Sequence, residues 1–306
     1  MTTNLIISSD EASLRLDKML TMHFPQHSRS YFQYLIQSGN VLVNGVQLKK
    51  RIKLKMGDSV QIDFIDPPDL SAHSEDIPLD ILFEDDHLIA INKPAGMVVH
   101  PAPGSPSKTF ANALMFHCNN LKKEEFDPLR PGIVHRLDKE TSGVLIAAKT
   151  YEAHQLLVKQ FSERKIKKTY LAICSGNIEP GIISAPIGRH PVKRKEMAVA
   201  VEGKEAITHV KILVKKGDLS LIEAQPITGR THQIRVHLKH KGSPIVGDPV
   251  YGLKAVNQKY NAERQFLHAF RLKLQHPISE KTLEFKAPIP PDMLDFLIKN
   301  GLKKYL

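Results

Sequence analysis

The sequence predicts two units: a small N-terminal α/β domain followed by a larger, strand-rich α+β domain. Three observations carry that expectation. The chain has 306 residues, more than one typical domain of ~100–150 residues holds. Near the N-terminus, helically spaced apolar residues give way to an Asn-Gly pair between apolar residues. A Pro-rich, acidic stretch then interrupts the pattern once, and short apolar runs continue to the end without a second break. With 42% hydrophobic and 25% charged residues, the composition is ordinary for a globular protein and excludes a disordered tail, a collagen-like chain and a coiled coil. The longest apolar runs, around Val144 to Ala148, fall far short of the ~20 residues that span a bilayer. The first residues have no basic region before Asp10 and Glu11, which predicts no signal peptide and a cytoplasmic location. Cys118 and Cys174, the two cysteines, cannot make a disulfide framework and read as small buried hydrophobes.

In chain order, Leu14, Leu16, Met19 and Leu20 predict a short helix. Ser28 can cap a second, Arg29 to Ser38, whose inner face is Phe32, Leu35 and Ile36 and which Gly39 ends. Asn44-Gly45 between Val43 and Val46 predicts a hairpin, because both turn positions need positive φ. Val60 to Phe64 alternates as a closing strand. A helix pair followed by such a hairpin, over roughly residues 14–64, resembles a small RNA-binding domain. That domain is shared by a small-subunit ribosomal protein, tyrosyl-tRNA synthetases and several rRNA-modifying enzymes. Asp66-Pro67-Pro68-Asp69 through Ile77-Pro78 reads as a stiff connection, so the predicted division is 1–66, a linker at 67–78, and 79–306.

In the second unit, strands are predicted at 81–83, 87–92, 143–148, 168–174, 206–214, 219–225, 266–274 and 282–286, and helices at 151–164 and 291–300. Asp292 lies near the start of the last helix and Gly301 just past its end. Residues 231–240 fit a strand through the alternation of Ile234, Val236 and Leu238. The Ile234–Leu238 spacing, the basic end and Gly242 suit a helix, which is preferred.

The 43 Lys and Arg exceed the 32 Asp and Glu by 11. Residues 66–86 hold eight acidic side chains and no Lys or Arg, so the remainder carries +19. Basic residues cluster at 49–51, 164–168 and 193–195, on no apolar amphipathic face, which favours nucleic acid over a membrane as the partner.

Two runs hold the candidate chemistry. Gly132-Ile-Val-His-Arg-Leu-Asp-Lys-Glu-Thr-Ser-Gly143 feeds an apolar strand, so its Arg136, Asp138, Thr141 and Ser142 sit on a loop that a rigid scaffold can position. The same residue types also make ordinary solvated turns. Pro226 to Leu238 brings His232, His237 and nearby His240, yet no Cys or carboxylate lies at a metal-ligand spacing and interleaved Arg and Lys repel a cation. No metal is expected. Phosphate-loop, dinucleotide and serine-elbow patterns are missing from the sequence, so chemistry without a cofactor is expected.

His135-Arg-Leu-Asp-Lys-Glu-Thr-Ser-Gly143 resembles the signature of the RluA-type pseudouridine synthases. Three more segments agree with it: Glu84 to Pro101, Gly229-Arg-Thr-His-Gln-Ile-Arg235, and Phe266-Leu-His-Ala269. Within that family the chain is most similar to the D-type enzymes of large-subunit rRNA, through Arg189 to Arg194, Met197 to Val199, and Gly247-Asp-Pro-Val-Tyr-Gly252. Ala102-Pro103-Gly104 and Phe266 depart from the usual pattern and concern loop shape.

The resemblance implies a large mixed, mainly antiparallel sheet and a monomer that turns uridine into pseudouridine without a cofactor. Its substrate would be 23S rRNA or an assembling large subunit. Asp138 is implied as the essential carboxylate, Arg235 as the cation that keeps it charged in a dry pocket, and Tyr170 as the aromatic partner that stacks on the uracil and helps remove the C5 proton. A base inside a folded RNA must be flipped out to react. Arg136 would fill the vacated space, Leu137 and Leu267 would line the pocket, and Lys93 would brace it. Arg15, Lys18, Arg29, Lys49, Lys50 and Arg51 would contact phosphates. An RNA-binding assembly factor without chemistry and a base-releasing glycosidase are the competing classes, separated by product.

Overall fold

Strand β1 (Thr2–Ile6) opens the chain. Its residues alternate between exposed and half-buried, too weak a pattern to predict a strand. Helices α1 (Leu16–His23) and α2 (Arg29–Gln37) follow, then β2 (Val41–Val43), β3 (Val46–Gln47) and β4 (Ser59–Asp63). The structure, a computed structural model, describes residues 2–27, 29–48, 52–65, 73–102, 105–118, 121, 126, 130–193 and 196–303, with the backbone alone at Ser30. The chain forms two units, Met1–Leu70 and Ser71–Leu306.

In the first unit the four strands run in the order β1-β4-β2-β3, all antiparallel. Asn44 (φ 52°) and Gly45 (φ 76°) turn the hairpin, the pair of positive φ values that a two-residue hairpin needs. Phe32, Leu35 and Ile36, the predicted inner face of α2, are buried against Leu16, Met19, Leu20, Val41, Val60 and Ile62. The predicted cap Ser28 lies outside the described residues.

The second unit contains β5 (Ile81–Glu84), β6 (Leu88–Lys93), α3 (Phe110–His117), β7 (Ser142–Ala148), α4 (Tyr151–Ser162) and β8 (Lys167–Ser175). There follow β9 (Gly181–Ser184), β10 (Ile187–Arg189), β11 (Met197–Val199), β12 (Ile207–Lys216), β13 (Leu219–Pro226) and α5 (Gln233–His240). The chain closes with α6 (Lys254–Lys259), β14 (Leu267–Gln275), β15 (Thr282–Lys286) and α7 (Pro291–Lys299). The run 231–240 thus resolves as a helix from Gln233 on, with Thr231 and His232 in the turn before it. β10 and β11 form a separate ribbon. The other strands form one sheet in the order β5-β6-β7-β14-β8-β13-β12-β9, with β15 on the far half of β14. Its pairs are antiparallel apart from β7 with β14. Gly143 sits in that parallel contact with φ 110°, and a Cβ there would come 2.3 Å from the Ala269 carbonyl oxygen, so only glycine allows β7 and β14 to meet.

The sheet is covered on both faces, which explains near-continuous apolar strands. Val144, Ile146 and Ala148 face α4, whereas Leu145 and Ala147 face α3. Further along, Ala172 and Cys174 pack against Ile234 and Leu238 of α5, whereas Leu171 and Ile173 pack against Met293 and Leu297 of α7. Both cysteines are buried and free. Of the predicted linker, residues 67–72 lie outside the described residues. The part from His73 on is fastened to α3: Asn112 donates to the His73 carbonyl (2.8 Å), and the Glu75 carboxylate accepts from the Lys108 amide (3.0 Å). Among the described residues no helix is long and apolar enough to cross a membrane.

Candidate active site

Four side chains, Lys93, Gln265, Arg264 and His268, brace the loop that carries Asp138. The Lys93 ammonium, fully buried, donates to the carbonyls of Pro94 (2.7 Å), Met97 (2.9 Å) and Lys139 (3.1 Å). The Gln265 amide donates to Thr141 Oγ1 (2.7 Å), and Arg264 reaches the Glu140 carbonyl (3.3 Å). Ser142 Oγ lies 2.9 Å from His268 Nδ1, while His268 Nε2 lies 3.3 Å from the Ala287 carbonyl. A carbonyl only accepts, so Nε2 carries the proton and Nδ1 takes the Ser142 hydroxyl. Leu137 is buried against Val99, Phe110 and Leu145, which anchors the residue just before the carboxylate.

Arg235 comes from α5. Gln233 ties the start of that helix to β12 and the preceding turn: its Oε1 accepts from Thr228 Oγ1 (2.7 Å) and the Arg230 amide (2.9 Å), and its Nε2 donates to the Ile207 carbonyl (2.9 Å). Arg235 Nη1 donates to Asp138 Oδ2 at 2.8 Å. Its other edge meets Asp248 in a two-pronged pair, Nε to Oδ2 at 2.7 Å and Nη2 to Oδ1 at 2.9 Å. Asp248 Oδ1 also accepts the amides of Val250 and Tyr251. The guanidinium lies 5.0 Å from the centre of the Tyr251 ring.

A cavity of about 560 Å³ opens beside this pair. Arg136, Leu137, Asp138, Tyr170, Arg235 and Leu267 all line it, so six of the seven predicted chemical-site residues converge there. Lys93 lies behind the loop as a brace. Arg136 is exposed. Sequence reasoning missed Lys168, which also lines the cavity, and gave no role to His232, Asp248 or Tyr251. The run Gly247 to Gly252, which holds Asp248 and Tyr251, entered the sequence reading only as part of the resemblance, and His232 only as a rejected metal ligand.

The electrostatics follow from burial and pairing. Burial opposes ionisation of Asp248, yet the two Arg235 bonds and the two amides outweigh it and hold its pKa below the carboxylate norm. Burial, reinforced by the Asp138 charge, pushes the Tyr170 phenol well above its usual value, so it is neutral at pH 7. Burial draws Lys93 down to about 7, against the pull of Glu140 and Asp138. His232 is lowered by burial, opposed by Asp138 and reinforced by Arg235, and is neutral at pH 7.

The three histidines of the second run do not converge. His237 is locked between Thr208 Oγ1 (2.9 Å) and the Ala185 carbonyl (3.0 Å), and His240 is exposed at the far end of α5. Among the described residues, metal-ligand types gather only at Glu84, His117 and Cys118. There Lys149 already sits 2.7 Å from the Glu84 carboxylate.

In the first unit, Arg15 and Arg29 both grip Asp17. Arg15 binds it through Nε (3.0 Å) and Nη2 (2.8 Å), Arg29 through Nε (3.0 Å) and Nη2 (3.2 Å), and Gln33 adds a bond of 2.7 Å. Lys18 is exposed. Lys49, Lys50 and Arg51 lie outside the described residues.

Two family profiles match the chain: one described as RNA pseudouridylate synthase over residues 87–240, and one described as the S4 domain over residues 14–60. An uncharacterized RNA pseudouridine synthase of Bacillus subtilis is 42% identical over 97% of this chain and 99% of its own length. A protein of Nitrosomonas europaea named ribosomal large subunit pseudouridine synthase D is 43% identical over 97% of this chain and 87% of its own. Among solved structures, human RNA pseudouridylate synthase domain containing 4 superposes with a TM-score of 0.59 at 27% identity, covering 74% of this chain and 94% of that one.

Proposed function

The chain belongs to the RNA pseudouridylate synthase family, and from that premise we propose that it isomerises specific uridines of large-subunit (23S) ribosomal RNA, free or in an assembling subunit. It acts as a cytoplasmic monomer without metal or nucleotide cofactor. The observation that carries the site assignment is the 2.8 Å pair between Asp138 and Arg235 on the wall of a cavity large enough for a nucleotide. The rRNA assignment draws on relatives named for the large subunit.

In the proposed reaction the C1′–N1 bond breaks, the uracil turns within the cavity, and C5 bonds to C1′. The C5 proton leaves and N1 regains one, so atoms and charge balance and nothing is oxidised. Asp138 supplies the carboxylate for the first step, whether by attack on the sugar or base or by removal of a ribose proton. It also stabilises positive charge developing on the sugar. Arg235 holds Oδ2, which leaves Oδ1 for the substrate. A neutral Tyr170 stacks on the uracil and suits hydrogen-bond donation better than proton removal. The target base flips out of the RNA at a cost of a few kcal/mol, and Arg136 stacks in the space it leaves. Leu137 and Leu267 pack against the base, and Lys93 supports the loop. Arg15, Lys18, Arg29, Lys49, Lys50 and Arg51 contact phosphates.

Tritium release from rRNA labelled at uridine C5 tests the proposal. The intact protein releases label and Asp138→Asn releases none, with no free uracil among the products. Free uracil would identify a glycosidase. No release from either protein, on undermodified rRNA and on subunit particles, would identify an RNA-binding assembly factor instead.

A further inference from the structure

His232 stands at the N-cap of α5 in the left-handed region, φ 56° and ψ 20°, a conformation that costs a non-glycine residue and marks an over-determined position. Its ring is held by Tyr251. His232 Nδ1 lies 2.8 Å from the Tyr251 hydroxyl, which accepts the Met197 amide at 2.8 Å. With that amide in place, the hydroxyl proton is directed at His232 Nδ1, so the neutral imidazole carries its proton on Nε2. Nε2 in turn lies 3.9 Å from Asp138 Oδ1, the oxygen that Arg235 does not bind. The two oxygens of Asp138 are therefore addressed by different groups: Oδ2 by a charged guanidinium at hydrogen-bond distance, Oδ1 by an N–H one short movement away.

We infer that His232 is a positioning residue for the reaction, with Tyr251 setting its tautomer so that Nε2–H steers and steadies Asp138 Oδ1 when substrate closes the gap. The inference rests on Asp138 being the reacting carboxylate. A gap of 3.9 Å suits this role: contacts that are long in a free enzyme tighten in the substrate complex, and a donor bonded beforehand would compete with the substrate for Oδ1. Arg136, Arg235 and Asp248 are the other charged groups around the ring, and Arg235 is already committed to Oδ2 and to Asp248.

Single-turnover tritium release and RNA affinity, measured side by side on full-length variants, test this. Removing one N–H directed at a carboxylate, in His232→Ala, is expected to slow release about 10- to 100-fold with RNA affinity unchanged. His232→Gln, which restores an N–H at similar reach, recovers at least half of that loss on a logarithmic scale. Tyr251→Phe falls between the two, because the ring keeps its place and loses its tautomer lock. A matching thermal melt shows that this variant is folded, and if it is not, the two His232 variants decide alone. The inference is overturned if His232→Ala releases label at the intact rate, if Gln is as slow as Ala, or if weakened RNA binding accounts for the loss. Asp138→Asn, run alongside, separates the failures: should it stay active, the assignment of the carboxylate falls as well.

Discussion

The two units each tie arginine to aspartate, with opposite stoichiometry and opposite burial of the arginines. In the first, one fully buried acid, Asp17, is gripped by two arginines whose side chains are 38% and 47% exposed. In the second, one arginine only 5% exposed is gripped by two acids, Asp248 at 1% and Asp138 at 21%. The first cluster carries a surplus positive charge on its outer side, and the second a surplus negative charge on its cavity side. A buried charge must be paired, whereas a half-exposed one can be rehydrated. The first cluster therefore fixes Asp17 and leaves both arginines open to outside contact, whereas the second fixes Arg235 and Asp248 together and leaves only Asp138 open to the cavity.

If that difference holds, Asp248→Ala has the largest effect. It strands most of a buried guanidinium and costs the second unit about 3–5 kcal/mol, measured by chemical denaturation. Tritium release falls with it, because Arg235 loses its anchor. A destabilisation below about 1 kcal/mol, by the same measurement, would break the comparison.

Lys93 sharpens it, as a buried cation held by carbonyls alone. Its pKa falls from 10.5 to about 7 on folding. Between those values the unfolded chain holds a proton that the folded chain has released, so stability rises with pH across the window. Lys93→Met removes a slope of up to about 1.4 kcal/mol per pH unit, read from denaturation between the folded and unfolded pKa values.

Asp17→Ala is milder, about 1–3 kcal/mol, since both freed arginines reach water. The Asp17 pKa is depressed from 3.8 to about 2, where its bonds to Arg15, Arg29 and Gln33 outweigh burial. Its stabilisation is complete above pH 3.8 and lost as pH falls through 2. Hydrogen exchange of α1 and α2 under acid follows that loss, and Asp17→Ala abolishes it.

The smallest effect on chemistry comes from replacing Lys49, Lys50 and Arg51 with Ala. Binding to rRNA weakens, and the slope of log affinity against log salt drops by about 0.7–0.9 for each phosphate no longer neutralised. Single-turnover release at saturating RNA is unchanged.

Legibility followed physical signal strength. Phe32, Leu35 and Ile36 announce a helix face by spacing, and Asn44-Gly45 announces a turn by its dihedral needs. β9, β10 and β11, four, three and three residues long, are too short to show a period. α3 escaped notice because it is apolar on nearly every side, with six of its eight residues buried. Its Thr109–Asn112 capping box uses Asn where Glu or Gln is the readable form. Asp138 and Arg235 were reached through family resemblance, since nothing in their local spacing says that residues 97 positions apart touch. The Asp17 cluster was hidden for a related reason. Arg15 precedes α1 in an extended conformation, which lets it reach a residue two positions on, a pairing that helical geometry forbids. The left-handed backbone of His232 has no sequence signature, because histidine does not require it.

The parallel contact between Gly143 and Ala269 also bears on how the protein is made. It joins strands more than a hundred residues apart, and the cavity wall at Leu267 is in place only once that contact forms. Asp138 leaves the ribosome long before its wall does. At about 5–20 residues per second, several seconds of synthesis separate the two. Long-range pairings of this kind close late in folding, so the nascent chain carries a complete S4 unit well before its cavity is walled.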